Sequence, residues 1–168
     1  MLKKIILFIA LVLPMSAFAQ KFGVVNTDEV FQSLPEFTQI KTQAEDAAKK
    51  YEGEFQKLRE ELEKLYADFQ SIAEDPNTPQ AIKERRMQEI QEREAKVNQF
   101  RQTAQEDLAR LQQQLVEPVQ KKIMEAIQTV GQEGGYTFIF PAEQGLLLYQ
   151  SSAVVDLTST VKAKLGVK

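Results

Sequence analysis

Between residues 36 and 73 the chain repeats one pattern. Apolar side chains fall at Phe37, Ile40, Ala44, Ala47, Tyr51, Phe55, Leu58, Leu62, Leu65, Phe69 and Ile72, with charged and amide residues between them. The intervals alternate between three and four residues, which sets all of these side chains along one stripe of an α-helix. The alternation breaks once, where Ala47–Tyr51 and Tyr51–Phe55 are both steps of four. Such a stutter relaxes a left-handed supercoil locally. Gly53 lies inside it and reads either as a bendable point or as a glycine on an exposed face.

A second helical pattern runs from Gln80 to about Val130. Its first half is thinly apolar (Ile82, Met87, Ile90, Val97, Phe100), and its second half is dense from Leu108 through Leu111, Leu115, Val116, Val119, Ile123, Met124 and Ile127. A helix that is apolar around more of its circumference packs on more than one side. Pro118 falls in the dense half and predicts a kink. The two patterns are separated by "EDPNTPQ", residues 74–80, where Pro76 and Pro79 end one helix and start the next. The result is a predicted antiparallel hairpin over 36–114 with its tip at 74–80. At 1.5 Å per residue the helices span roughly 57 and 74 Å, so the dense end overshoots its partner by about 17 Å. That overshoot predicts burial in a separate body.

The ends of the chain carry the other elements. Phe22 to Val25 reads as a short strand, Asn26 as the cap of a short helix with Glu29 as its capping-box partner, and Pro35 as a first-turn residue. Gly134-Gly135 stops the long helix, Tyr136 to Phe140 and Leu146 to Tyr149 read as strands around a "PAEQG" turn, and Asp156 caps a last helix bearing Leu157, Val161 and Leu165. These pieces predict a β-body from residues 20–35 and 115–168, with Phe22, Val24, Val25, Val119, Ile123, Ile127, Phe138, Phe140, Leu146 and Leu148 as its candidate oligomer-forming residues. Three short strands make a poor independent core and leave open edges, so the body is expected to be completed by further copies of the chain. The fold class is therefore α+β and mostly helical: a long antiparallel hairpin on a small β-body shared between subunits.

Composition and charge narrow the function. The first 19 residues combine Lys3 and Lys4, an apolar run from Ile5 to Leu13, and Ala17-Phe18-Ala19 before Gln20. This is the pattern of a secretory signal cleaved between Ala19 and Gln20. The run is too short for a membrane span, which takes about 20 residues. No cysteine follows for lipid attachment, and nothing later is apolar and long enough to cross a bilayer. Without its two signal lysines the chain keeps 19 basic residues, 21 less 2, against 24 acidic ones. An acidic chain is a poor general nucleic-acid binder. With 0 His and 0 Cys there is no nucleophilic dyad, no general base near neutrality and no thiolate metal site. No glycine-rich phosphate loop occurs, and Ser151-Ser152 has no base beside it, so neither catalysis nor a cofactor or metal is expected.

Charge also bears on the hairpin. Residues 51–75 are acidic (Glu52, Glu54, Glu60, Glu61, Glu63, Asp68, Glu74, Asp75), and residues 81–101 are rich in bases, among them Lys83, Arg85, Arg86, Arg93 and Arg101. Opposite signs favour antiparallel docking, though exposed pairs contribute well under about 1 kcal/mol each. These five bases are also the candidate client-facing residues. A solvated face paired with the first helix is the alternative reading for them.

The start "KFGVVNTDEVFQSLPEF" resembles the "(K)I-x-x-V-N-x-x-x-(L/V)-F-Q" opening of the Skp/OmpH family of periplasmic chaperones. The end "GYTFIFPAEQGLLLYQSSAVVDLTSTVKAKL" resembles that family's paired strands and closing "D-(I/L)-T" helix, so the resemblance covers essentially the whole mature chain. It implies a homotrimer with three helical arms around a cavity, an ATP-independent holdase for unfolded outer-membrane β-barrel proteins. It also implies a periplasmic location and transient contact with the membrane surface. Family members are often strongly basic, whereas this chain is acidic. The competing reading is a structural or adaptor coiled coil of the envelope without chaperone activity. Adaptor hairpins of membrane-fusion proteins have large β-domains on both flanks, and here only about 15 residues precede the first arm.

Overall fold

A computed structural model describes residues 20–142 and 147–167. The elements run β1 (Phe22–Val25), α1 (Thr27–Ser33), α2 (Pro35–Ala73), α3 (Gln80–Gly134), β2 (Phe138–Pro141), β3 (Val155–Asp156) and α4 (Thr158–Lys164). The chain forms two compact units. One is Pro35–Pro118; the other comprises residues 20–34 and 119–167. The signal segment and Leu146 lie outside the described residues.

The Pro35–Pro118 unit is the helical hairpin that the seam predicts. α2 begins at Pro35, whose missing N–H costs nothing in a first turn. All eleven seam residues from Phe37 to Ile72 are half-buried, and nearly everything between them is exposed. No residue of α2 is fully buried, because one facing helix covers only part of the stripe. The helix runs through Gly53 without a break, and a Cβ there would meet open space, so the glycine sits on a solvent face. Across the seam, Ile90 and Ala104 are the buried anchors of this half of α3. The helix continues through Pro118 to Gly134 and does not end at the proline.

The second unit is built on a three-stranded sheet in the order β2-β1-β3, with both pairings parallel. β1 is central: Phe22 pairs with Phe138 and Val24 with Phe140 on one side, and Gly23 pairs with Val155 on the other. Here the structure corrects the sequence reading. Leu147–Tyr149 form no strand, and Leu148 is 99% exposed. The place next to β1 is taken by Val155–Asp156, because the Leu157 N–H bonds the Val24 carbonyl at 2.8 Å and draws this segment alongside. Both outer strands run parallel to β1, and such pairs need a crossover rather than a tight turn; among the described residues β2 pairs with β1 alone.

Helix ends follow local chemistry. Asn26 caps α1 by accepting from the Glu29 N–H at 2.9 Å. The return half of the expected capping box does not form, because Glu29 instead binds Lys162 of α4 at 2.7 Å. α3 ends in a Schellman turn: Tyr136 N–H reaches the Gly131 carbonyl at 3.0 Å, and Gly135 takes φ 65°. This turn claims Tyr136, so β2 starts later, at Phe138. Gly166, with φ 79°, ends α4 in the same way.

The core of this unit consists of Val24, Val25, Val30, Leu34, Val119, Ile123, Ala126, Val130, Leu157 and Val161. Burying a Val or Leu side chain of this kind contributes about 1.5–3 kcal/mol. Gly23 permits close packing of β1 on this core, since a Cβ there would lie 2.5 Å from Leu157 Cδ1. One buried polar side chain, Thr158, ties the two ends of the chain together. Its Oγ1 accepts from the Asn26 N–H at 3.0 Å and donates to Asp156 Oδ1 at 2.6 Å. Asp156 also accepts from the Thr158 N–H at 2.8 Å, so it caps α4 from two residues before the helix begins. The Thr158 hydroxyl, and then its N–H, hold the Asp156 carboxyl below its ordinary range. Thr158→Val should leave the Asn26 N–H without an acceptor and lower stability by about 1–3 kcal/mol. Urea unfolding followed by circular dichroism measures this, and Thr158→Ser should recover most of the loss. An unchanged midpoint in the valine variant would remove the bond from the account.

Candidate functional site

Two surfaces carry the residues that the sequence singles out: the flank of the hairpin and the outer strands of the body. At the hairpin tip Asp75 organises the turn. Its carboxylate accepts from the Asn77 N–H at 2.9 Å and from the Thr78 hydroxyl at 3.0 Å. The Asn77 N–H is the main cause that holds this carboxyl below its ordinary range, followed by the Thr78 hydroxyl. Lys83 Nζ donates to the carbonyls of Ala73 at 2.9 Å and Asp75 at 3.1 Å. The Ala73 carbonyl ends α2, where no further turn of helix can bond it, and the Asp75 carbonyl lies in the turn beyond, so Lys83 acts as a cap.

The other four candidate bases are placed differently. Arg85 and Arg86 both bind Glu89 on their own helix, at 3.2 and 2.6 Å, and the Arg86 bond leads in lowering the Glu89 carboxyl below its ordinary range. Arg93 reaches across the hairpin to Glu61 at 2.7 Å. Arg101 is exposed and has no hydrogen bond or ion pair among the described residues. It flanks a groove of about 330 Å³ lined by Tyr51, Phe55, Phe100, Ala104 and Leu108. Between the contrasting stretches 51–75 and 81–101, one direct ion pair among the described residues crosses the hairpin, Arg93–Glu61. Six bases of the hairpin, Lys41, Lys57, Arg59, Arg85, Arg86 and Arg110, bind carboxylates three or four positions away on the same helix, where side chains meet at little entropic cost.

Sequence reasoning missed two tyrosine clasps. Tyr51 donates its hydroxyl to Asp107 at 2.9 Å while its ring packs tilted against Phe100, with centroids 6.0 Å apart. Tyr66 donates to Glu94. The legible signal was a tyrosine at or beside a seam position, where an apolar ring can lie on the seam and a hydroxyl can leave it. A wider groove of about 690 Å³ opens on the other side of Tyr51, with Ala47, Phe100 and Leu111 in its wall and Lys50, Glu54 and Arg110 at its rim. Among the described residues no cluster of three or more His, Cys, Asp or Glu is placed to hold a metal.

On the body, the ten candidate residues separate. Val24, Val25, Val119 and Ile123 are buried within the chain itself, and Phe22 and Ile127 are half-buried. Phe138 and Phe140 are 58% and 42% exposed. The register puts Phe22, Phe138 and Phe140 on one face, where Phe22 stacks on Phe138 at 6.2 Å and Phe138 meets Phe140 at 5.9 Å. On β3, Val155 is exposed as well.

The clasps and the tip respond to pH in opposite directions. Hydrogen bonds to Asp107 and Glu94 raise the hydroxyl pKa of Tyr51 and Tyr66 above the ordinary value of about 10. Their stabilisation is complete below that value and is lost as pH rises through the folded pKa. Asp75 and Glu89 are lowered, so their contribution is present above the carboxylate range, near pH 4, and is lost as pH falls through the folded values. Thermal unfolding followed by helical dichroism should show both falls. Tyr51→Phe combined with Tyr66→Phe should flatten the alkaline one alone; an unaltered alkaline profile in that variant would exclude the clasps.

Among the described residues no helix is long and apolar enough to cross a membrane. Among curated proteins none matches the chain. The family model described as "Outer membrane protein (OmpH-like)" matches residues 21–165. Proteins of that family are periplasmic and work as chaperones rather than as enzymes. The match takes in β1, the hairpin, β2 and the Asp156-Leu157-Thr158 link to α4 in one continuous span, and this chain belongs to the OmpH-like family.

Proposed function

We propose that the protein is an ATP-independent holdase of the periplasm that binds unfolded outer-membrane β-barrel proteins and keeps them from aggregating before insertion. The observation that carries this reading is the hairpin seam. Over its whole length on α2 it stays half-covered, flanked by shallow grooves at Tyr51 and Phe100. A holdase needs many weak contacts of this kind, because a single deep site would bind one sequence and release it slowly. Unfolded barrel proteins expose alternating apolar strands that aggregate in water. The partly exposed ion pairs of Arg85, Arg86 and Arg93 suit exchange, since such surface pairs are worth little and a client carboxylate can replace one partner. Arg101 is the first candidate for direct client contact, with Lys83 the least available because it caps α2.

In this reading the Pro35–Pro118 hairpin is the client-binding arm and the β-containing unit joins copies, three in all, the chain having been exported and cleaved after Ala19. The start of the family match at residue 21 supports that cleavage. The exposed Phe138–Phe140 face, on a sheet with two open edges, supports joining through the body. Light scattering should give the mass of a trimer for the mature chain. Phe138→Asp with Phe140→Asp should reduce it to a single copy while helical dichroism persists. A variant that stays assembled would move the interface elsewhere.

The activity is tested by diluting a urea-unfolded outer-membrane barrel protein into buffer without nucleotide. Suppression of scattering is expected at about one trimer per client. Deleting matching lengths from both arms should keep the trimer and reduce protection. A well-folded oligomer that fails to protect would favour the structural or adaptor role.

A further inference from the structure

The residue that cleavage after Ala19 would expose is Gln20. It is exposed and belongs to no element. From Lys21 onward the chain is held. The Lys21 carbonyl accepts from the Thr137 N–H at 2.8 Å, and its Nζ donates to the Gly134 carbonyl at 3.0 Å while lying 4.2 Å over the Tyr136 ring. The central strand begins at the next residue, with Phe22 paired to Phe138. The strand on which both other strands depend therefore starts two residues from the new terminus, and stepwise trimming from that end reaches it at once.

We propose that Gln20 is a modification site: on cleavage it cyclises to an N-terminal pyroglutamate that seals the chain against aminopeptidases. The free α-amine attacks the carbon of its own side-chain amide. A bond forms between the α-nitrogen and Cδ, the Cδ–Nε2 bond breaks, and Nε2 leaves as ammonia with the proton that the amine gives up. Nothing is oxidised or reduced, and no co-reactant is needed. An α-amine loses its proton near pH 8, so a reactive fraction exists at neutral pH. The exposed Gln20 side chain is free to turn back on its own nitrogen, while Lys21 and Phe22 stay fixed in the fold. The product has one positive charge fewer than the open terminus, beside Lys21.

The inference rests on cleavage after Ala19, and one experiment separates the two. The full precursor is exported in cells, and the protein is recovered from the envelope and kept cold and acidic so that the amine stays protonated. Mass spectrometry then reads its N-terminal peptide. The expected peptide starts at Gln20, is lighter by one ammonia and does not react with amine reagents. A peptide starting at Gln20 with a free amine overturns the proposal and leaves the cleavage intact. A peptide starting elsewhere overturns the cleavage and the proposal with it. Incubation of the folded protein with an aminopeptidase tests the role. Wild type should stay intact, whereas Gln20→Ala should be shortened from its first residue and unfold at lower urea as Phe22 is lost. Equal resistance of the two proteins would overturn the protective role.

Discussion

The β-containing unit depends on the parallel pairing of β1 with two strands from the last part of the chain. Phe22–Val25 lies between β2 and β3, and its neighbours are more than 110 residues away in sequence, as in the Phe22–Phe138 pair. A parallel pair cannot be closed by a turn, so the whole hairpin is the crossover between β1 and β2. Closing so long a loop carries an entropic penalty, which grows only slowly with length. The contacts that oppose it are concentrated. Leu157 and Val161 are buried with the core residues of β1 and α1, Thr158 satisfies the Asn26 N–H, and Lys162 meets Glu29. The Val-Asn pair near the start and the Asp-Leu-Thr triplet near the end, which the family resemblance picks out separately, are two halves of this one junction.

The hairpin obeys a different constraint. Its α2 seam is long, regular and never fully covered, since a two-helix pair can enclose only part of an apolar stripe. Its fixed points are Ile90 in the interior, the Tyr51–Asp107 and Tyr66–Glu94 clasps along the flank, and the Asp75 turn with its Lys83 cap at the tip. Between these points the surface is a mixture of half-exposed apolar rings and exchangeable ion pairs. Such a surface suits the diffuse client binding that the proposed holdase role asks of it.

Much of this was legible in the residues themselves. The three-four spacing located the half-buried seam of α2, and the two prolines located the turn, because both signals act within a few residues. The Asn26 cap and the Gly135 stop were legible for the same reason. The second C-terminal strand was misplaced. The run Leu146-Leu147-Leu148-Tyr149 is the more apolar segment, yet Val155–Asp156 holds the position beside β1. Strand propensity describes a segment, whereas strand pairing is settled by which segment can also place Leu157 in the core and Thr158 against Asn26. The five arm bases show the same limit. Their charge is visible in sequence, but only geometry separates the cap of Lys83, the intrahelical bonds of Arg85 and Arg86, the bridge of Arg93 and the open Arg101.

Sequence by itself determined the local and periodic features: helix stripe, stutter, caps, turn, the absence of His and Cys, and the glutamine at the predicted cleavage point. These arise from interactions between residues close along the chain, which the order of amino acids states directly. Tertiary structure alone decided the parallel order β2-β1-β3, the tyrosine clasps, and which apolar residues of the body are spent on its own core and which, like Phe138 and Phe140, remain outside. Those outcomes depend on competition between distant segments for the same buried space, and the winner is set by packing and hydrogen-bond geometry that no local pattern records.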